Sequence, residues 1–176
     1  MLKKRRLVIL FFVLAVSIIS ICGAFLFWRT QSVKPQKVHY HAGFLVFQDD
    51  QKIDFSATKY MFLEPCTVGN THKDTQAEIQ VEKAHLHDNV GDVVHIERSG
   101  AIWSDLFKNI GYSMNFSKAT GYINGKKVAN FQSQPIVSDD VLVVFIGNND
   151  IAKDLAQAPT QKYIEDKAEE SKTCGE

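Results

Sequence analysis

Leu7 to Trp28 is a run of 22 residues without a single charge. As a helix it rises about 33 Å, enough to cross a bilayer core of roughly 30 Å. Lys3, Lys4, Arg5 and Arg6 precede it with no acid among them, and basic flanks are retained on the cytoplasmic side. The reading is a cytoplasmic basic stub over 1–6, a transmembrane signal anchor over 7–28, and everything after it outside the cytoplasm, on the outer face of the plasma membrane. Trp28 and Arg29 suit the far interface, where one sits among headgroups and the other snorkels. The alternative is a cleaved signal peptide, whose apolar region usually runs about 7–15 residues. This run is longer and no A-x-A site follows it. A lipoprotein signal would modify Cys22, but Ile21 stands where such signals carry a small residue.

The whole chain balances 20 basic against 20 acidic residues. Setting the four basic residues of the stub aside leaves a mildly acidic remainder. That argues against a nucleic-acid partner, which a basic excess would announce. Three cysteines in 176 residues exclude a disulfide-rich scaffold. Cys66 and Cys174 both fall outside the membrane and could form one disulfide, or remain two thiols. Cys66 is also a candidate metal ligand.

Arg29 to Lys37 is polar, contains Pro35, and reads as a linker. Val38 to Phe47 alternates as a strand. Val38, Tyr40, Ala42, Phe44 and Val46 share one face; His39, His41, Gly43, Leu45 and Phe47 share the other. Asp49-Asp50-Gln51 is a turn and Lys52 to Ser56 its return strand. Ala57 to Lys83 is irregular, with a candidate strand at Ala77 to Val81. Asp92 to Arg98 is a strand. Ile102, Trp103, Leu106, Phe107 and Ile110 recur at helical spacing, with Gly111 at the C-cap. Asn124-Gly125 closes a hairpin between Thr120–Ile123 and Lys126–Asn130, because both turn positions tolerate positive φ. Val141 to Ile146 is nearly all apolar, as a central strand is. Residues 148–176 are polar and read as a mobile tail, with a short helix around Tyr163 to Glu170.

These elements place an α+β domain at 38–147, with one short helix across a mixed sheet. Tyr122-Ile123-Asn124-Gly125-Lys126 and Asp139-Asp140-Val141-Leu142 resemble the hairpin and following strand of β-grasp ligand-binding domains. That resemblance implies a β-grasp-like sheet; a β-sandwich is the alternative.

All six histidines fall between positions 39 and 95. His39-Tyr40-His41 and His85-Leu86-His87 are two H-x-H units, and His95 lies in a third strand. Residues i and i+2 of a strand face one side, so neighbouring strands would bring four or five imidazoles together. Neutral imidazole is the commonest ligand of zinc, copper, iron and nickel. Asp88 follows His87, and Glu97 shares a face with His95; either carboxylate could orient a ring or transfer a proton. His72 sits in a polar loop beside Lys73 and is set apart. Met61 and Met114 would be the only soft thioether donors within the domain. Surface histidines without a metal, or a cluster that charges together near pH 6, are the plainer alternatives.

The segments H-Y-H-A-G-F-L-V-F, A-H-L-H-D-N-V-G-D-V-V-H-I-E and I-W-S-D-L-F together resemble a family of uncharacterised bacterial membrane-anchored proteins. The likeness spans about residues 38–147. It implies that the histidines act as a unit and supplies no reaction. The long polar stretch around Pro65 to Lys83 departs from that pattern. The chain lacks G-x-S-x-G, H-E-x-x-H, P-loop and C-x-x-C signatures. The sequence therefore points to a transition-metal-binding protein, zinc or copper foremost, using His39, His41, His85, His87 and His95. A small metal-dependent hydrolase or oxidase on the same histidines, and an adaptor domain with incidental histidines, are the rival readings.

Overall fold

A computed structural model describes residues 35–63 and 75–170. The expected anchor at 7–28 and its basic flank, together with His72, Cys66 and Cys174, lie outside the described residues. Among the described residues no helix is long and apolar enough to cross a membrane.

One long strand, β1 (Lys37–Gln48), organises the fold. Its first half pairs antiparallel with β3 (Val93–Arg98). Its second half pairs in parallel with β6 (Val141–Ile146). β2 (Gln51–Lys52) returns beside the end of β1, and β4 (Ala119–Ile123) with β5 (Lys126–Val128) closes the other side. The strand order is β2-β1-β6-β4-β5, with β3 on β1 outside that path. Among the described residues four α-helices complete an α+β fold: α1 (Gln76–Lys83), α2 (Trp103–Asn109), α3 (Ile151–Leu155) and α4 (Gln161–Glu170). The described strands form a single mixed sheet, so the sandwich alternative is set aside.

The pleat of β1 sorts its side chains as the alternation predicts. Ala42, Phe44 and Val46 enter the main core with Val94, Ile96, Leu142 and Val144. Trp103, Leu106, Phe107 and Ile110 of α2 and its C-cap cover them. Burying one large apolar side chain contributes about 1.5–3 kcal/mol, so this layer holds the sheet together. On the opposite face, Leu45, Phe47, Val143 and Phe145 form a second cluster with Leu155 and Ala158 packed against it.

The hairpin and the following strand are tied directly. Asn124 Nδ2 donates to Asp140 Oδ1 at 2.8 Å, and the Val141 amide donates to Asn124 Oδ1 at 2.8 Å. Asn124 and Gly125 take φ of 51° and 73°, the left-handed values the turn requires.

Four expectations need correction. Ala77 to Val81 is helical, not a strand: Thr75 and Glu78 form a capping box that starts α1. The return strand after Asp49-Asp50 is only Gln51–Lys52, because beyond it the chain turns inward to bury Phe55. The linker ends earlier than expected, since Lys37 already belongs to β1 and the Gln36 amide donates to Ser99 Oγ at 2.8 Å. Residues 148–170, expected as a polar tail, hold α3 and α4 and pack back on the sheet. Ile164 is buried, and the Tyr163 hydroxyl donates to Asp92 Oδ1 at 2.9 Å. Gly43 makes that packing possible: a Cβ there would stand 3.1 Å from both Ile164 and Pro159.

Candidate metal centre

His39, His41 and His95 occupy the face of β1 and β3 that is turned away from the main core. His41 lies directly opposite His95 across the β1–β3 pair, and His39 is two residues upstream on the same face. On the other edge of β3, an extended arm carries His85 and His87. His85 and His95 exchange both backbone hydrogen bonds, at 3.0 and 2.9 Å. The arm is therefore a short bridge and not the strand its H-x-H pattern predicts.

Those backbone bonds explain the side-chain geometry. The His95 amide and carbonyl both point to the arm, which makes His41–His95 the narrow, non-hydrogen-bonded kind of antiparallel pair. Such pairs hold their Cα atoms about 1 Å closer than hydrogen-bonded ones. The ring centroids follow: 4.1 Å for His41–His95 and 5.9 Å for His85–His95. His41 Nε2 stands 3.0 Å from His95 Nδ1, so one ring donates its proton to the other. One donor atom from each of His39, His41 and His95 lies within 4.8 Å of the other two. These three could hold a metal ion, which would replace the shared proton. His39 is exposed, so the group opens to solvent on that side.

His85 and His87 pack against the same hub. Their ring centroids are 5.7 Å apart, and His87 lies 3.6 Å from His95. Each inner ring is fixed by an outer partner. His85 Nδ1 is 3.2 Å from the Val81 carbonyl and His87 Nδ1 is 2.5 Å from Asp88 Oδ2. A carbonyl and a carboxylate only accept, so both Nδ1 atoms carry a proton; on the neutral ring of His85 this leaves the lone pair on Nε2. Asp88 reaches its neighbour because Asp88 and Asn89 form a turn with φ of 55° and 60°. Its role is thus to orient His87. The arm is itself held from behind. Asn109 Nδ2 on α2 donates to the carbonyls of Gln80 and Ala84, both at 2.8 Å, at the end of α1.

Burial keeps the rings of His41, His85 and His95 neutral. It is the main cause that lowers His41 and His85 to about 4, assisted by the neighbouring imidazoles. His95 is lowered further, again chiefly by burial and then by His87 and His41. Neutral rings at pH 7 have lone pairs ready for a cation. Glu97 is raised, first by burial and then by the charge of Glu82.

Asp139 was missed by the sequence reading. Its amide donates to the His41 carbonyl at 2.9 Å, and its charge opposes the lowering of His41. Its Asp-Asp setting was read as part of a strand entry, and nothing local ties it to a histidine so far upstream. Phe62 was also missed; its ring stands 5.2 Å from that of His85. Met61 and Met114 pack against the main core and take no part in the cluster. Asn115 Oδ1 accepts from the Ser117 amide at 3.1 Å and so caps a local turn. No protein-family model, curated protein or solved structure matches the chain.

Proposed function

We propose that this is a membrane-anchored protein whose domain, outside the cytoplasm, binds a transition metal ion through His39, His41 and His95. The observation that carries the reading is the convergence of their donor atoms within 4.8 Å on a face the core does not need. Nitrogen donors without a thiolate suit zinc(II) or copper(II). The anchor at 7–28 would tether the domain to the membrane. The sheet is read as β-grasp-like, with β3 and the histidine arm added to one end of β1. The likeness to bacterial membrane-anchored proteins agrees with this reading. Binding or delivery is favoured, because among the described residues no catalytic group is identified beside the histidines other than carboxylates.

A second reading is a metal-dependent hydrolase or oxidase. The open side at exposed His39 favours it, since three nitrogen ligands leave a position for water. Glu97, on the same face, would be the proton-transfer group.

Titrating the full-length chain in detergent with zinc or copper tests the first reading. Binding should be saturable and raise thermal stability, by about 2.7 kcal/mol at 100 times the dissociation constant. The double variant His41→Ala, His95→Ala should lose that stabilisation, and His72→Ala should keep it. A double variant that binds as tightly as the parent would defeat the assignment. Protease added to spheroplasts should digest the domain; protection would defeat the outward-facing topology.

A further inference from the structure

His95 has an H-x-H pair on each side: His39 and His41 across one edge of β3, His85 and His87 across the other. The ring centroids of His39, His41 and His95 make a triangle with sides of 4.9, 6.0 and 4.1 Å. Those of His85, His87 and His95 make one with sides of 5.7, 5.9 and 3.6 Å. With metal–nitrogen bonds of about 2.0–2.1 Å, two rings on one tetrahedral ion have centroids roughly 5 Å apart. The outer triangle scatters about that scale, and its donor atoms lie within 4.8 Å of one another; in the inner triangle two sides are wider and His87–His95 is narrower. The two triangles differ in burial: His85, His87 and His95 are all buried, whereas His39 is exposed.

The inner triangle contains an atom with no other use. His85 Nδ1 faces the Val81 carbonyl, which leaves the lone pair on Nε2. That Nε2 is sealed from solvent and has no hydrogen-bond partner. A buried polar atom left unsatisfied destabilises the fold. The ring of Phe62 at 5.2 Å offers it no donor. A cation coordinated there would satisfy it.

We infer that His85, His87 and His95 form a second, inner metal site of the same ion class, with His95 bridging the two ions. His95 then binds one ion through each ring nitrogen and releases its ring proton to solvent. To share an ion the inner rings must rotate, opening the His87–His95 pair and closing the two His85 pairs, while the backbone bonds between His85 and His95 stay in place. The inference rests on the outer-site reading, because a bridge presupposes an outer ion.

Copper(II) titration of the full-length chain in detergent, followed by electron paramagnetic resonance, tests it. Two coppers should bind per chain, and coupling through the shared ring should hold the integrated signal well below two spins. His85→Gln should bind one copper and recover one full, uncoupled spin. His87→Gln, scored beside it by circular dichroism, should do the same and guards against a misfolded His85 variant. Copper held elsewhere would stay uncoupled and so would not mimic the bridge. A parent that saturates at one copper with one full spin overturns the inner site and leaves the outer one standing. Two fully uncoupled coppers also overturn it. No copper or zinc bound at all removes both readings together.

Discussion

The two faces of β1 come from alternate residues of one twelve-residue strand, yet they serve opposite ends. One face sends Ala42, Phe44 and Val46 under the aromatic residues of α2. The other begins with His39 and His41 and ends with Leu45 and Phe47 under the C-terminal helices. The first face is mainly apolar and supplies stability. The second is divided along its length between a polar cluster and a smaller apolar one. A pleated strand thus separates holding the fold from holding a ligand, so each can be altered with limited effect on the other.

The largest expected effect belongs to the core face. Phe107 is buried beside Phe44, Tyr112 and Phe116. Phe107→Ala should cost about 3–5 kcal/mol in denaturant unfolding. The metal affinity of the molecules that remain folded should not change. A cost under about 1 kcal/mol would mean that α2 does not carry the core.

Acid should act through the histidine face. Unfolded histidine titrates near 6.5, whereas His85 in the folded chain titrates at about 4. Between those values the unfolded chain binds more protons, so stability falls as pH drops from 6.5 to 4. It is fully present above that window. His85 alone should account for roughly 3 kcal/mol, with His41 and His95 adding in the same direction. Metal-free unfolding at pH 7, 5.5 and 4 measures this. A profile that stays flat, or one that the variant His85→Gln does not flatten, would contradict it.

Smaller effects lie where the second face becomes apolar. Gly43→Ala places a Cβ 3.1 Å from Ile164 and Pro159. It should destabilise by about 1 kcal/mol and speed amide exchange in α4. Tyr163→Phe removes the bond to Asp92, to which burial and that bond have raised the phenol to about 12. Its expected cost is about 0.5–1.5 kcal/mol. Neither change should alter metal binding; if either does, the two ends of this face are coupled.

Much of this division is written locally in the sequence. The alternation from Val38 to Phe47 sorts the two faces, and the spacing of Trp103, Leu106, Phe107 and Ile110 gives α2. Asn124-Gly125 and the apolar run at Val141 give the last hairpin and the parallel strand. Ala77 to Val81 misled because its polar–apolar alternation outweighed the capping box, Thr75 with Glu78, that starts a helix. The packing of residues 148–170 was illegible for another reason. One buried residue, Ile164, and the notch at Gly43 anchor α4, and a polar composition hides both.

The histidines show the same limit. That His39 and His41 share a face follows from the pleat. Which nitrogens converge does not, because it depends on strand register. His95 spends its backbone bonds on His85, and only that fact makes the His41 pair the narrow one. Asp139 enters the surroundings of His41 through the register of β6 on β1, which no local pattern reports.

The proposed function requires His39, His41 and His95 to share an ion. Anomalous diffraction at the metal edge, from crystals of the zinc- or copper-loaded protein, locates that ion directly. The expected peak lies about 2.0–2.1 Å from one ring nitrogen of each of the three. A loaded protein whose ion sits elsewhere, with these three rings left uncoordinated, would contradict it.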